Sequence, residues 1–527
     1  MGMVRDRMEI VTIKGLNHEG AGVGHLGSGL AVFVPVALPG EKVKIELTAR
    51  KRNYALGRLM EIVAASPERV LPPCPEARAC GGCHLQHLDY RAQLYWKRRM
   101  VTDALQRLGG LHDVRVLPVM GMTNPWGYRN KVRFHIAGGQ LGFYRPGSHE
   151  VVSFSCCPLL PADLMELARG IARLLPGLPA GLRHVTLRRG WATGELLVAL
   201  ESEAGWTGGE GLAAALADRF PELVGVVALD GGVVVGDEQQ GQQGPVDTTG
   251  GGYGRRVEIS KAGNLPRQSM TGSGESWRAT ARTGNRDQQR HYGRERTDWA
   301  TNSGRRGAGK EQAGHKTGSD RMLTRGRGNK VLYGRNYLEE RLGGLRFLIS
   351  AATFLQVNSA QAEVLYDQAA KRAALQGGEE ILDAYCGSGA IALWLSRRAG
   401  RVTGVEVVPA AIADARRNAV INRISNVRFS TGAAEEVLPR LAGSGYRPEV
   451  VILDPPRAGC DRQVLAAVAT MAPRRVVYVS CNPATLARDM ANLRQAGFAP
   501  GPVQPVDMFP HTHHVECVVL MTNIKRD

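Results

Sequence analysis

The sequence predicts an α/β protein whose C-terminal third is a doubly wound, largely parallel sheet, preceded by a small β-barrel and a central β-rich region. Three observations carry this reading. From Val364 onward, apolar strand-like runs alternate with amphipathic helix-like runs, the pattern of repeated strand-helix crossovers. From Glu9 to Val63, short alternating runs are broken by glycine at the spacing of a small barrel. Between about Asp237 and Lys330 the composition turns to Gly, Gln, Arg, Ser and Thr, which divides the two folded regions.

The chain has 527 residues, 43% hydrophobic and 22% charged, enough for about three domains and unlike a small disulfide scaffold or a wholly disordered chain. Sixty-seven Lys and Arg against 49 Asp and Glu give a formal net charge of +18, an excess that draws a polyanion. Nucleic acid is therefore the expected partner. No run of about eighteen apolar residues occurs and the start of the chain lacks a secretory signal, so a cytoplasmic location without membrane contact is expected; separately, a monomer is expected. In such a reducing compartment the nine cysteines point to metal ligation or catalysis rather than to disulfides.

In chain order, residues 4–63 form the barrel, whose Lys14, Lys42, Lys44, Arg50, Lys51, Arg52 and Arg58 suit RNA contact. Residues 64–236 form the central region. It opens with a loop bearing Cys74, Cys80 and Cys83, continues through a helix from Tyr90 to Leu108 ended by Gly109 and Gly110, and then turns to strands. Residues 237–330 have hardly any periodic apolar segment and cannot offset ordering entropy by burial, so they read as a disordered insertion. With 18 basic against 10 acidic side chains, this insertion is a solvated tether or an arm adding loose RNA affinity. Residues 331–527 carry the α/β domain, the expected seat of catalysis because such sheets bind ligands at the carboxyl ends of their strands.

Four motifs there carry chemistry. Asp383-Ala384-Tyr385-Cys386-Gly387-Ser388-Gly389 follows a strand and opens a helix, so its glycines allow backbone to approach a ligand closely. Such turns also occur as plain tight turns, but Glu406 ends the next strand, where a carboxylate can accept from both ribose hydroxyls of an adenosine. A nucleoside ligand without a phosphate cradle fits S-adenosylmethionine better than a dinucleotide. Asp454-Pro455-Pro456-Arg457 ends an apolar strand; Arg457 stands where amine methyltransferases carry an aromatic residue, which disfavours amine methylation. Ser480-Cys481-Asn482-Pro483 places Cys481 at another strand end, where a thiolate could add to C6 of uracil and make C5 nucleophilic. The C5 proton must then leave. Glu516 is the favoured base, with His511 and His513 as alternatives. Cys386, Cys460 and Cys517 read as buried structural thiols.

The motifs DAYCGSG, DPPRAG, SCNPATLARD and FPHTHHVE, in that order, resemble the RNA uracil-5-methyltransferase family, which uses S-adenosylmethionine. FLQVNSAQAEVLY, NHEGAGVGHL with FVPVALPGE, and CGGCHLQHLDYRAQLYWK extend the resemblance over nearly the whole chain apart from the insertion. It implies a Rossmann-like methyltransferase domain, an N-terminal TRAM barrel of OB-like type and a central β-rich cluster-binding domain. It further implies that Gln356, Tyr385, Glu406 and Asp454 hold the cofactor, that Cys481 is the nucleophile and that Glu516 accepts the proton. Cys74, Cys80 and Cys83 resemble three ligands of a [4Fe-4S] cluster, with Cys157, before Pro158, as the fourth and Cys156 as its alternative. By spacing alone four such thiolates suit zinc equally well. The implied substrate is 23S ribosomal RNA, with transfer RNA as the alternative; the reading from a different class is an RNA-binding protein or chaperone with a vestigial catalytic domain.

Overall fold

In the computed structural model, residues 8–203, 205–230 and 329–525 are described. The expected insertion lies outside these residues except for Asn329 and Lys330. The N-terminal barrel is one sheet of six strands, β1 (Met8–Thr12), β2 (Gly15–Leu16), β3 (Gly22–His25), β4 (Ala31–Val34), β5 (Lys42–Arg50) and β6 (Tyr54–Ala64). Their order is β1-β5-β6-β4-β3-β2. Alternation sends Val11, Val32, Val34, Val43 and Ile45 into its core and leaves Lys14, Lys42, Arg50, Lys51, Arg52 and Arg58 exposed.

After the cysteine loop comes α1 (Tyr90–Arg107), capped by Asp89, whose carboxylate accepts from the amide of Arg91 at 2.9 Å. The central sheet contains β7 (Lys131–Ala137), β8 (Gln140–Tyr144), β9 (Val151–Ser153), β10 (Leu182–Arg189), β11 (Leu196–Ser202), β12 (Leu223–Asp230) and β13 (Asn329–Gly334). One of its faces is covered by α2 (Ala162–Leu174) and α3 (Gly209–Arg219), which the sequence reading did not anticipate. In α2, Leu164, Leu167, Ala168 and Ile171 fall on one stripe, the helical period that buries it.

Two boundaries differ from expectation. The break placed at residue 331 cuts β13, which pairs antiparallel with β12 in register Leu229 to Asn329 and so belongs to the central sheet. Helix α1, expected within the central domain, buries Val101 and Leu105 in the same core as Leu486, Ala487 and Met490 of the C-terminal domain.

A hairpin of β14 (Tyr337–Leu342) and β15 (Leu345–Ser350) leads into that domain. There follow α4 (Ser359–Ala373), β16 (Glu380–Asp383), α5 (Ala390–Ser396), β17 (Arg401–Glu406), α6 (Pro409–Ile421), β18 (Val427–Thr431) and α7 (Ala434–Gly443). The chain ends with β19 (Val450–Leu453), α8 (Arg462–Met471), β20 (Arg475–Ser480), α9 (Pro483–Gln495), β21 (Phe498–Pro500), β22 (Gln504–Val506) and β23 (Glu516–Asn523). Strand order is β18-β17-β16-β19-β20-β23-β21, with β16 to β20 parallel and β23 antiparallel. The sheet is covered on both faces, by α4, α5 and α6 in one apolar core and by α7, α8, α9 and α1 in the other. Among the described residues no helix is long and apolar enough to cross a membrane.

Candidate active site

Because β17, β16, β19 and β20 are parallel neighbours, their carboxyl ends lie side by side and present Glu406, Asp383, Asp454 and Cys481 in that order. Strand β23 runs the opposite way and starts at this edge with Glu516. The last pair between β20 and β23 is Ser480 to Cys517, so one further step of that register sets Cys481 opposite Glu516. Sheet topology therefore brings the expected nucleophile, base and cofactor residues to one edge.

On the cofactor side, Gly387 (φ 52°) and Gly389 (φ 85°) take left-handed conformations that other residues would resist. Glu406 is fixed at the tip of this turn, its Oε2 accepting from the Gly387 amide at 3.1 Å and its Oε1 from the Val408 amide at 2.8 Å. Ser388 Oγ donates to the carbonyl of Phe354 at 3.2 Å, tying the turn to the segment that carries Gln356. Gln356 is buried and its Oε1 has no hydrogen-bond partner. The Asp383 carboxylate is likewise buried, with the backbone of Tyr385 and Ala392 as its polar neighbours. Burial and the neighbouring Asp454 push the Asp383 carboxyl up to about 8. Tyr385, half-buried, packs against the α7–α9 side of the sheet. The orphaned Gln356 acceptor costs free energy unless a ligand supplies a donor, and the carboxyls of Asp383 and Asp454 favour a cation, so this cradle fits a cationic, hydroxyl-bearing nucleoside such as S-adenosylmethionine. Asp383 was not singled out from the sequence as a site residue; its signal was its position as the last residue of β16, first in the glycine-turn motif.

On the reaction side, Cys481 is half-buried and lies just before α9, whose amino end favours negative charge. Asn482 caps α9 by accepting from the Ala484 amide at 3.0 Å, and its Nδ2 donates to the Arg457 carbonyl at 3.0 Å. The Asp454–Arg457 turn and the Cys481 turn are thereby locked together. Burial, reinforced by Asp454 and opposed by Arg457, pushes the buried Glu516 carboxyl up to about 8. Burial likewise raises Asp454 to about 7.

The alternative bases His511 and His513 lie in the loop that leads to Glu516. His511 is buried, at φ 67°, with its amide donating to Gln93 Oε1 at 2.9 Å and its ring stacked on Trp126 at 3.6 Å. Burial pulls His511 down to about 3 and His513 to about 2. Arg457 donates to His514 Nδ1 at 3.0 Å, which puts the imidazole proton on Nε2. Cys386, Cys460 and Cys517 are all buried.

Away from this edge, Cys74, Cys80, Cys83, Cys156 and Cys157 line one cavity of about 40 Å³, walled by Phe143, Phe154 and Leu160. Strand β9 ends at Ser153 and the chain bends at Ser155, before Cys156 and Cys157. Burial raises Cys80 to about 11, with Cys157 and Cys74 adding to the rise; burial also raises Cys74, Cys83 and Cys157. Backbone and amide donors reach two of the sulfurs, Gly82 N to Cys80 at 3.3 Å and Gln86 Nε2 to Cys83 at 3.1 Å. Among the described residues no three Cys, His, Asp or Glu side chains converge on a single ion position.

A second feature escaped the sequence reading. On β7 and β10 the register pairs Lys131 with Arg188, Arg133 with Thr186 and His135 with His184, all on one face. Val132, Phe134, Val185 and Leu187 fill the core on the other. Tyr144 stacks on His135 at 3.7 Å, and Arg188 donates to the carbonyl of Thr353, two residues before Leu355-Gln356. The alternation K-R-H in KVRFHIA and H-T-R in HVTLRR was the available signal.

The sequence profile of the tRNA (uracil-5-)-methyltransferase family matches residues 310–524, and that of the TRAM domain residues 3–60. A Bacillus cereus protein named an uncharacterized RNA methyltransferase is 37% identical over 98% of this chain and 96% of its own length. One from Halalkalibacterium halodurans with the same designation is 36% identical over 97% and 96%. Among solved structures, Pyrococcus abyssi tRNA (uracil-54, C5)-methyltransferase in complex with S-adenosyl-L-homocysteine has the same fold, with a TM-score of 0.63 and 23% identity over 97% of this chain and 99% of that one. With these relatives spanning its full length, the chain belongs to the family of S-adenosylmethionine-dependent RNA uracil-C5 methyltransferases.

Proposed function

We propose that this chain methylates C5 of a uridine in ribosomal RNA, with Cys481 as nucleophile and Glu516 as proton acceptor. The observation that carries the proposal is the β20–β23 register, by which Cys481 and Glu516 fall at the sheet edge where Asp454 follows β19 and Asp383 ends β16. The Cys481 thiolate adds to C6, and the C5–C6 electron pair moves toward the ring carbonyl as an enolate. Bound S-adenosylmethionine supplies the electrophilic methyl group, held by Gln356, Tyr385, Glu406 and Asp454. C5 takes the methyl group as the ring carbonyl re-forms, leaving S-adenosylhomocysteine; Glu516 then takes the C5 proton, the C5–C6 double bond re-forms and the Cys481 thiolate is expelled.

Incubation with 5-fluorouridine RNA and S-adenosylmethionine tests this directly. Fluorine cannot leave C5 as a proton, so a denaturation-resistant RNA–protein adduct is expected. Cys481→Ala should abolish both adduct and turnover; turnover retained in that variant would remove the nucleophile assignment. Absence of any adduct with the unaltered chain would favour the non-catalytic RNA binder.

For RNA engagement, the barrel's exposed Lys14, Lys42, Arg50, Lys51, Arg52 and Arg58 support phosphate contact, whereas Lys131, His135 and Arg188 of the β7–β10 face are buried and Arg133 is paired with Glu201. The choice of ribosomal RNA rests on the cysteine signature. The domain layout does not discriminate, because the Pyrococcus abyssi tRNA enzyme shares the fold over 99% of its length. Mapping 5-methyluridine in both RNA pools from cells lacking the gene decides between them: loss from transfer RNA would overturn the ribosomal assignment.

The same reading assigns Cys74, Cys80, Cys83 and Cys157 to a [4Fe-4S] cluster. The cavity they share and the coupling of Cys157 with Cys80 and Cys83 support it. Zinc would draw four sulfurs to within about 2.3 Å of one ion. A [4Fe-4S] cluster would take each of the four sulfurs on a separate iron. Iron and acid-labile sulfide assayed on anaerobically purified protein should both be present; zinc without sulfide would overturn the assignment. The cluster would hold the cysteine loop in place, and no step of the methylation passes through it. The active unit is a monomer in this reading.

A further inference from the structure

The loop between β22 and β23 leads directly into Glu516, the first residue of β23, and it is held from a remote part of the chain. Lys97 of α1 is fully buried; its Nζ reaches Asp507 Oδ1 at 2.5 Å and donates to the Phe509 carbonyl at 3.0 Å. Tyr90, two turns earlier on the same face, donates its hydroxyl hydrogen to Asp507 Oδ2 at 2.9 Å. Gln93 lies between them. Its Oε1 accepts from the His511 amide at 2.9 Å while its Nε2 donates to the carbonyls of Leu85 and Leu88, at 3.0 and 2.8 Å. The amides of His84 and Leu85 in turn donate to the His511 carbonyl at 3.0 and 2.9 Å.

We infer that Lys97, Gln93 and Tyr90 are positioning residues for the catalytic base: α1 clamps the Asp507–His511 loop and so sets where Glu516 meets the C5 proton. This rests on the Cys481 and Glu516 roles proposed above. The physical argument is one of pre-organisation. A left-handed His511 and a fully buried ammonium are both unfavourable alone, and each persists only because the surrounding bonds over-determine the loop. None of the three clamp residues lies at the strand edge that holds the reactants, so the effect reaches the reaction only through loop placement.

The test compares three proteins on RNA of natural uridine: Glu516→Gln, the double variant Lys97→Met/Asp507→Leu, and Tyr90→Phe, the smallest perturbation, which keeps the interior volume if the double variant does not fold. Methylated RNA trapped on protein, turnover, KM for RNA and melting temperature are read together. In the double variant we expect turnover to fall by about 100-fold, the scale of a roughly 1 Å misplacement of a reacting group. KM for RNA should stay within about twofold, since uniform binding is untouched. Methylated adduct should accumulate as it does with Glu516→Gln, and Tyr90→Phe should show a smaller rise of the same adduct. A merely structural role would lower melting temperature and active fraction without enriching the adduct. Release at the normal rate from both clamp variants, while Glu516→Gln traps, overturns the positioning inference. Normal release from Glu516→Gln itself overturns the base assignment and the inference with it.

Discussion

At the residue scale, the site is defined by three carboxyl groups that hold protons unusually long. Asp383 and Glu516 are raised to about 8 and Asp454 to about 7, burial being the first cause of each. Asp454 faces both of the others, and Arg457 pulls Glu516 the other way. Between the ordinary carboxylate range and about pH 8 the folded chain binds protons that the unfolded chain has released, so the contribution of these groups to stability falls as pH rises through that window. A cationic ligand reverses the balance by favouring the ionised forms. Binding of S-adenosylmethionine should therefore release protons and tighten as pH rises from about 6.5 to about 8, and calorimetry in two buffers of different ionisation enthalpy measures the release. Asp383→Asn should reduce it. Equal heats in the two buffers would mean that the carboxyls are already ionised before the ligand arrives. In turnover, Glu516 must be ionised to accept the C5 proton, so the product-release rate should climb over the same range.

At the element scale, what was legible in the sequence was what is local. DAYCGSG, DPPR and SCNP are each a strand end with its own turn, so Glu406, Asp454 and Cys481 could be found by position alone. The place of β13 in the central sheet was not legible, because its partner β12 lies across the insertion. Least legible was the pairing of Lys97 with Asp507, 410 positions apart, since a lysine on an amphipathic helix ordinarily reads as solvated. Its burial makes a sharp stability prediction. Lys97→Met alone leaves the Asp507 charge buried and should cost about 3–5 kcal/mol, whereas Lys97→Met with Asp507→Leu should be close to neutral. Denaturant unfolding of the two proteins measures both values. Equal losses in single and double variants would show that packing, rather than charge pairing, holds α1 on the C-terminal domain.

At the scale of the whole molecule, an excess of +18 is unevenly shared between folded surface and insertion. In the proposed function the barrel offers exposed cations in fixed geometry, which would position RNA, and the insertion offers them on a Gly- and Gln-rich background, which would add attraction without register. The β12–β13 pair gives a way to separate the two contributions. Leu229 and Asn329 are neighbours across an antiparallel ladder, so a short turn can replace the chain between them without stretching either strand. Deleting residues 240–328 should keep methylation at saturating RNA and keep the melting temperature. RNA affinity should fall at low salt, and the difference from the full chain should shrink as salt rises, because phosphate contacts made by such an arm act through counterion release and are screened. Filter binding across a salt series reads the slope directly. A deletion that loses methylation at every salt concentration would mean that the segment takes part in the site itself, and the division of labour between a positioning surface and a loosely attracting arm would have to be abandoned.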